Sequence, residues 1–430
     1  MEKLLSQNVA TVVLAGGQGT RLFPLTSCRC KPAVNFAGRY RLIDIPISNA
    51  LNSQFHNIYV LSQYLASGLN QHVFDTYSLD HLQGGCIECL TPEENAVQKV
   101  WFKGTADAVR KNMRHLLKGN YEYFLILSGD QLYNMDLQAF AHFAIEKDAD
   151  LTIAALPILE KDAKRMGLLK VDANFNVTDF VEKPKEDEIL HTFKMPKEAV
   201  KHAHLKDKTC YLGSMGIYFF KRDCLEALVE EDDREDFGHH LIPTQIKKGK
   251  SAAFVYDGYW EDIGTIGSYY NANLCLTTGD CALDFYNEID PIHAHITNLP
   301  AARIRHARID TSIICDGSII ECDTIAHSMI GLRSHVKKGT IIKDSVLIGN
   351  QFYTPPENHI IDLPSEFTIG ENCLIERAII DEHVKIGNNC RLTNPGGIQT
   401  YDSDLLCIRD GIIVIPSGTE IPDNYIAPAV

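Results

Sequence analysis

The feature that most restricts this chain is a six-residue spacing of aliphatic side chains over its last third. Ile313, Ile319 and Ile325 stand six apart, and Ile330, Val336 and Ile342 continue after one slip. The spacing returns at Ile369 and Ile375, after an insertion rich in proline and polar residues over 351–366. The phrase Ile-Gly-x-Asn-Cys occurs at Ile369–Cys373 and again at Ile386–Cys390. An α-helix repeats every 3.6 residues and a half-buried strand every two, so neither produces this pattern. A parallel β-helix does, because each short strand turns one side chain into a narrow core and the next coil stacks upon it. An ordinary β-rich domain with chance spacing is the competing reading, and survival of the period across the insertion favours the β-helix. The expected extent is 290–430.

The preceding stretch, 1–289, has a different texture. A chain of 430 residues exceeds one ordinary core, so two domains are expected. Val9–Leu14, Ile58–Ser62, Phe124–Leu127 and Leu151–Leu156 are short apolar runs of the kind buried on both sheet faces. Helical spacing separates them, as at Thr105–Leu117 and Leu137–Lys147. Strands alternating with helices predict an α/β fold with a largely parallel sheet, whose ligands sit beyond the carboxyl ends of its strands.

A net charge of −15 argues against an extended nucleic-acid or anionic-membrane surface. No apolar run is long enough to span a bilayer, and Met1–Asn8 lacks the pattern of a secretory signal. The 13 cysteines are scattered. Cys28 with Cys30 and Cys86 with Cys89 have no second ligand pair nearby for zinc, so reduced thiols in a cytoplasmic protein are expected.

The strongest local signal follows the first strand: Leu14-Ala15-Gly16-Gly17-Gln18-Gly19-Thr20-Arg21-Leu22. Glycines here permit a tight turn whose N–H groups face phosphate oxygens. A dinucleotide fingerprint would need glycine in place of Leu22, and the Gly-Lys-Ser/Thr of a Walker loop is absent. Between Glu2 and Asp44 no carboxylate occurs, whereas Arg21, Arg29, Lys31, Arg39 and Arg41 do. Turn, cations and missing acids together point to a polyphosphate.

These residues carry a resemblance. Leu14–Arg21 followed by Lys31-Pro32-Ala33-Val34 resembles the signature of nucleoside-diphosphate-sugar pyrophosphorylases. Gly38–Ser53 is similar to the ADP-glucose pyrophosphorylase (glucose-1-phosphate adenylyltransferase) branch of bacteria and plants. Tyr59–Tyr64, Gly104–Val109, Leu127–Asp130, Val181–Pro184, Ser214–Tyr218 and Tyr259–Gly264 match in the same order, so the resemblance covers nearly the whole chain. It implies a mostly parallel, Rossmann-like nucleotidyltransferase sheet followed by a left-handed parallel β-helix. The implied reaction joins ATP and glucose 1-phosphate into ADP-glucose with release of pyrophosphate, for glycogen or starch synthesis.

The resemblance also assigns roles. Arg21 and Lys31 match the basic pair on the departing pyrophosphate; Asp130 matches a catalytic, metal-binding carboxylate and Asp262 the second, with Mg2+ as the expected ion. Leu14, Gly16, Gly17, Gly19, Thr20, Gln63, Gly104 and Thr105 match nucleotide-binding positions. Phe102, Gly167, Glu182, Lys183 and Ser214 match substrate contacts, Lys183 on the sugar phosphate and Glu182 on a glucose hydroxyl. The family often has Tyr where Phe102 stands, so the ring is kept and a hydroxyl is lost. Cys28 replaces an activator-binding Lys of some bacterial members, and the lysines that plant-like members carry before Ile-Pro-Ser-Gly are absent around 411–418. A homotetramer with a small-molecule effector is the family's usual form. A non-catalytic regulatory subunit is the alternative, which the intact set Arg21, Lys31, Asp130, Lys183 and Asp262 weighs against. A bifunctional uridylyltransferase–acetyltransferase is disfavoured by the short C-terminal domain.

Overall fold

The computed structural model describes residues 2–77, 85–92, 101–203, 211–356 and 363–428, so part of the insertion, 357–362, lies outside the described residues. The chain divides into two compact units. The first comprises Met1–Gly17, Ile43–Glu261 and Phe285–Ile292; the second comprises Gln18–Leu42, Asp262–Asp284 and His293–Val430. The segment around residue 290 groups with the first unit, and two earlier segments group with the coils. Their tertiary contacts decide this, not their place in the chain.

The first unit is built on a nine-stranded sheet among the described residues. At its centre Val9–Ala15 lies between Asn57–Ser62 and Tyr123–Ser128, parallel to both. Val9, Ala10, Val12 and Val13 are fully buried, as a strand covered on both faces requires. Cys86–Leu90 extends the parallel run beyond Asn57–Ser62. Tyr211–Lys221 runs antiparallel to Tyr123–Ser128 and joins it to Leu151–Ile158, which pairs in parallel with Ser251–Val255. The expected helices form at Thr105–Leu116 and Leu137–Glu146. The first turns Ala106, Val109, Met113 and Leu116 inward, one stripe at helical spacing. The second begins where the Asp136 carboxylate accepts from Ala139 N at 2.9 Å, capping an otherwise orphaned donor.

The second unit contains a parallel β-helix of three strand ladders. Ile304, Ile320 and Val336 stack in one; Ile309, Ile325, Ile342, Ile375 and Leu392 in the next. Ile314, Ile330, Leu347, Ile380 and Ile415 form the third. Ile320, Ile325, Ile330, Val336, Ile342 and Ile375 are fully buried, so the period read from the sequence is the period of the core. The sequence period is one residue out of phase at its first two positions: Ile314 and Ile320 stack with the inward residues, not Ile313 and Ile319. Both members of each pair are isoleucine, and adjacent strand residues face opposite ways, so only the neighbouring coil selects between them.

The repeated Ile-Gly-x-Asn-Cys phrase has a physical basis in each residue. A Cβ on Gly370 would meet Gly387 O at 2.4 Å, and one on Gly387 would meet Asp423 N at 2.5 Å, so stacking excludes any side chain there. Asn372 and Asn389 sit at φ 56° and 58°, the left-handed conformation that asparagine tolerates best among residues with a side chain. Their amides form a ladder that ends with Asn389 Nδ2 donating to Asn424 Oδ1 at 3.1 Å. Cys373 and Cys390 point inward and are buried.

The 18–42 segment joins this unit through specific contacts. Tyr269 OH donates to Asn35 O at 2.6 Å, and Ala37 N donates to Asn273 Oδ1 at 2.9 Å, both from the helix Ile266–Cys275. Leu332 N on a coil donates to Gly38 O at 3.1 Å.

Ile342→Ala should destabilise this unit by about 2–5 kcal/mol through lost burial and a residual cavity. Lys343→Ala, on the exposed side of the same strand, should stay within about 0.5 kcal/mol. Urea midpoints of the two variants measure the difference.

Candidate active site

Register brings the first group together. Leu14 pairs with Ser128 and Ala15 with Ser62, so three parallel strands end side by side. Gly16 and Gly17 leave the first strand, Gln63 the second, and Gly129-Asp130 the third. Gly129 N donates to Leu14 O at 2.9 Å, closing the turn beside the glycines. Ser128 Oγ donates to Asp130 Oδ1, orienting that carboxylate. A Cβ on Gly17 would meet no atom within 4 Å. The protein alone does not require glycine there, whereas a phosphate approaching the backbone would.

Gln63 holds its own protein. Its Nε2 donates to Phe102 O at 3.1 Å, while its Oε1 accepts from Phe102 N. This two-way bridge fixes the stretch before Gly104, leaving Phe102 buried and Trp101 64% exposed. The side-chain amide therefore engages main chain in this conformation, where the sequence suggested an adenine edge. Gly104 and Thr105 start the helix Thr105–Leu116, and Ala106 N donates to Glu235 O at 2.9 Å.

A second group follows in the same unit. Gly167 pairs with Glu182 across an antiparallel ladder. Lys183, at φ 46°, brings its Nζ to 3.2 Å from Glu182 Oε1 and remains 59% exposed at its side chain. Leu168 pairs with Gly213, which brings Ser214 beside them. Ser214 sits at a register shift in its strand, and Gly216 N donates to its Oγ at 3.2 Å. Three residues outside the sequence assignments lie near Glu182 or Thr105: Tyr218, Asp236 and Gly238. Burial and then the Glu182 charge push the Tyr218 phenol up, with Ser214 and Asp236 also acting on it. Asp236 accepts from Thr105 Oγ1 at 3.4 Å and His239 N at 2.9 Å, capping the π-helical turn Phe237–Leu241. Such turns are uncommon and recur at functional sites. A Cβ on Gly238 would lie 3.1 Å from Glu182 Oε2. The sequence signal was slight, an Asp-Phe-Gly that could equally cap any turn.

The third group lies in the second unit. Gly19, at φ 65°, turns the chain into a short 3-10 segment, Thr20–Leu22. Thr20 and Arg21 are exposed. The Arg21 guanidinium lies against Gly264, where a Cβ would be 3.5 Å from Nη1. Lys31 is only 8% exposed, yet its Nζ reaches Asp262 Oδ1 at 3.3 Å. Lys31 and Asp262 thus meet although 231 positions separate them, and Arg21 lies two residues further along, at Gly264. Two members of the acid-free window differ from the sequence expectation. Arg29 is paired with Asp381 and Glu382, and Arg39 lies 5.9 Å from the ring of Tyr40. Asp44, the carboxylate that closes the window, is fully buried and accepts from His72 Nε2 at 2.6 Å and Tyr77 OH at 2.7 Å.

The groups of the first unit hold backbone donors, a lysine and carboxylates; the group of the second holds two cations and a carboxylate. Such donor types suit phosphate chemistry. Residues 10–279 match the family model described as nucleotidyl transferase, and residues 297–426 match the one described as GLGC left-handed parallel beta-helix domain. No helix among the described residues is long and apolar enough to cross a membrane.

Gln63→Ala should free the Phe102 amide. Hydrogen exchange at that amide should accelerate by roughly 5- to 150-fold, the equivalent of about 1–3 kcal/mol for one hydrogen-bonded bridge. Exchange at Val13, in the strand core, should be unchanged.

Proposed function

The chain belongs to the nucleotidyl transferase family, with the architecture of the ADP-glucose pyrophosphorylases, and on that premise we propose that it is a glucose-1-phosphate adenylyltransferase. The phosphate of glucose 1-phosphate attacks the α-phosphorus of ATP in line; the bond to the β-phosphate oxygen breaks, giving ADP-glucose and pyrophosphate. Both reactants are anions, so repulsion and positioning dominate the barrier. Cations and preorganised donors lower it without a covalent intermediate.

Gly16, Gly17 and Gly19 supply backbone N–H groups to the nucleotide. Arg21, with a planar fork of donors, and Lys31, a compact charge, hold the departing pyrophosphate. Glu182, Lys183 and Ser214, with Gly167, hold the sugar phosphate. Mg2+ fits the donor chemistry of Asp130 and Asp262, both carboxylates, and when bound would supply charge neutralisation on phosphate oxygens. The observation that carries this reading is the side-by-side exit of Gly16, Gln63 and Asp130 from adjacent parallel strands. ATP is preferred over UTP on the strength of Gly38–Ser53, a stretch similar to adenylyl-transferring relatives. Homotetramer formation and control by a small-molecule effector belong to the same reading.

Purified protein should release pyrophosphate from ATP and glucose 1-phosphate, and a chelator of divalent cations should stop it. Preference for UTP or dTTP would refute the base assignment. Asp130→Asn should lower kcat by about 100-fold or more with an unchanged circular dichroism spectrum. Lys183→Gln should raise the KM for glucose 1-phosphate by roughly 10- to 100-fold, a charge-assisted hydrogen bond's share. An effect confined to ATP would contradict its role.

A further inference from the structure

Arg29 shares the 18–42 segment with Arg21 and Lys31, but its partners are protein. Nη1 donates to Asp381 Oδ1 at 2.8 Å and Nη2 to Glu382 Oε2 at 2.9 Å. The side chains of Asp381 and Glu382 are 0% and 5% exposed. The other oxygen of Glu382 accepts from Asn35 Nδ2 at 2.8 Å. One turn of the β-helix therefore grips the segment at residues 29 and 35, on either side of Lys31.

Stability alone is a poor reason for this arrangement. Two neighbouring carboxylates and a guanidinium lose their hydration on burial, and a well-packed apolar cluster commonly serves as well. The turn also carries more charge than its hydrogen bonds use, for Asp381 Oδ2 is buried with no hydrogen-bond partner. Burial pushes the Asp381 carboxyl up against the opposing pull of Arg29. Burial also works against the charge of Glu382, but Arg29 and further donors hold its acid below the ordinary range. What a forked guanidinium between two fixed acids does provide is a single geometry for the backbone on either side.

We propose that Asp381 and Glu382 are positioning residues for the pyrophosphate end of the reaction. Through Arg29 and Asn35 they fix the segment that aims Arg21 and Lys31. This rests on the reading given under Proposed function. The β-helix, through its Asp381-Glu382 turn, is then a working part of the catalytic apparatus, beyond any part in assembly.

The test uses the full chain with Glu382→Gln and Asn35→Ala, assayed in both directions. In Glu382→Gln the KM for pyrophosphate in the reverse reaction should rise by about tenfold or more, while that for glucose 1-phosphate changes less than about twofold. Glu382→Asp should remain within about threefold of the parent for both. Equal changes for both substrates, or an unchanged pyrophosphate KM in a folded variant, would overturn the proposal. If Glu382→Gln fails to fold, Asn35→Ala decides, since it removes the neutral half of the grip without stranding a charge. The same split is expected there, and its absence refutes the idea. If the parent chain transfers no nucleotide, the functional reading fails separately, and the grip is judged by hydrogen exchange over 18–42. Faster exchange in Glu382→Gln supports it; unchanged exchange defeats it.

Discussion

Parallel pairing of Val9–Ala15 with a strand on each side governs the first unit. Parallel strands share a direction, so all three deliver their next residues to one edge of the sheet. Gly16, Gln63 and Asp130 become neighbours for that reason, though well over 100 positions separate the first from the last. A slip of one residue between any two strands would exchange the side chains packed on the two sheet faces. The apolar runs that make the core therefore also set the register of the polar residues that follow them. Binding elements at the edge need no separate scaffold.

In the second unit the governing constraint is coil stacking. Each coil must present an aliphatic side chain inward and leave no side chain where the next backbone passes, which explains the isoleucines and Gly370 together. A stacked core of this kind is stiff, because each residue touches the same position in the coil before and after it. A turn such as Asp381-Glu382 inherits that stiffness. A mobile loop cannot hold a guanidinium and an amide at fixed distances without losing chain entropy, whereas a turn between stacked strands has little left to lose. That is a physical reason for a cationic segment to be fastened there.

The chemistry of phosphate transfer gives both devices one purpose. Two mutually repelling anions gain little from contacts that bind them equally well before and during reaction. They gain from charges already in place where new charge develops. Lys31 is nearly buried and still holds its ammonium beside Asp262, so that charge is already fixed in place. The bridge from Gln63 to the backbone of Phe102 works in the same sense, trading side-chain freedom for a fixed approach to Gly104 and Thr105.

Much of the fold was legible because its causes are local. Val9–Leu14, Phe124–Leu127 and the helix at Thr105 declare themselves by burial pattern, and the six-residue period declares the β-helix before any coordinate is known. The glycines, Arg21, Lys31 and the carboxylates at 130 and 262 could be named because their types suit one chemistry and occur in a recognisable order. Tertiary structure decided which of them meet. No spacing rule predicts that Lys31 reaches Asp262, that Arg29 is claimed by Asp381 and Glu382, or that Ile320 rather than Ile319 faces inward. Those outcomes depend on contacts between residues far apart in the chain, whose energies appear only when the backbone has closed around them. Periodicity is written in neighbours, and pairing is not.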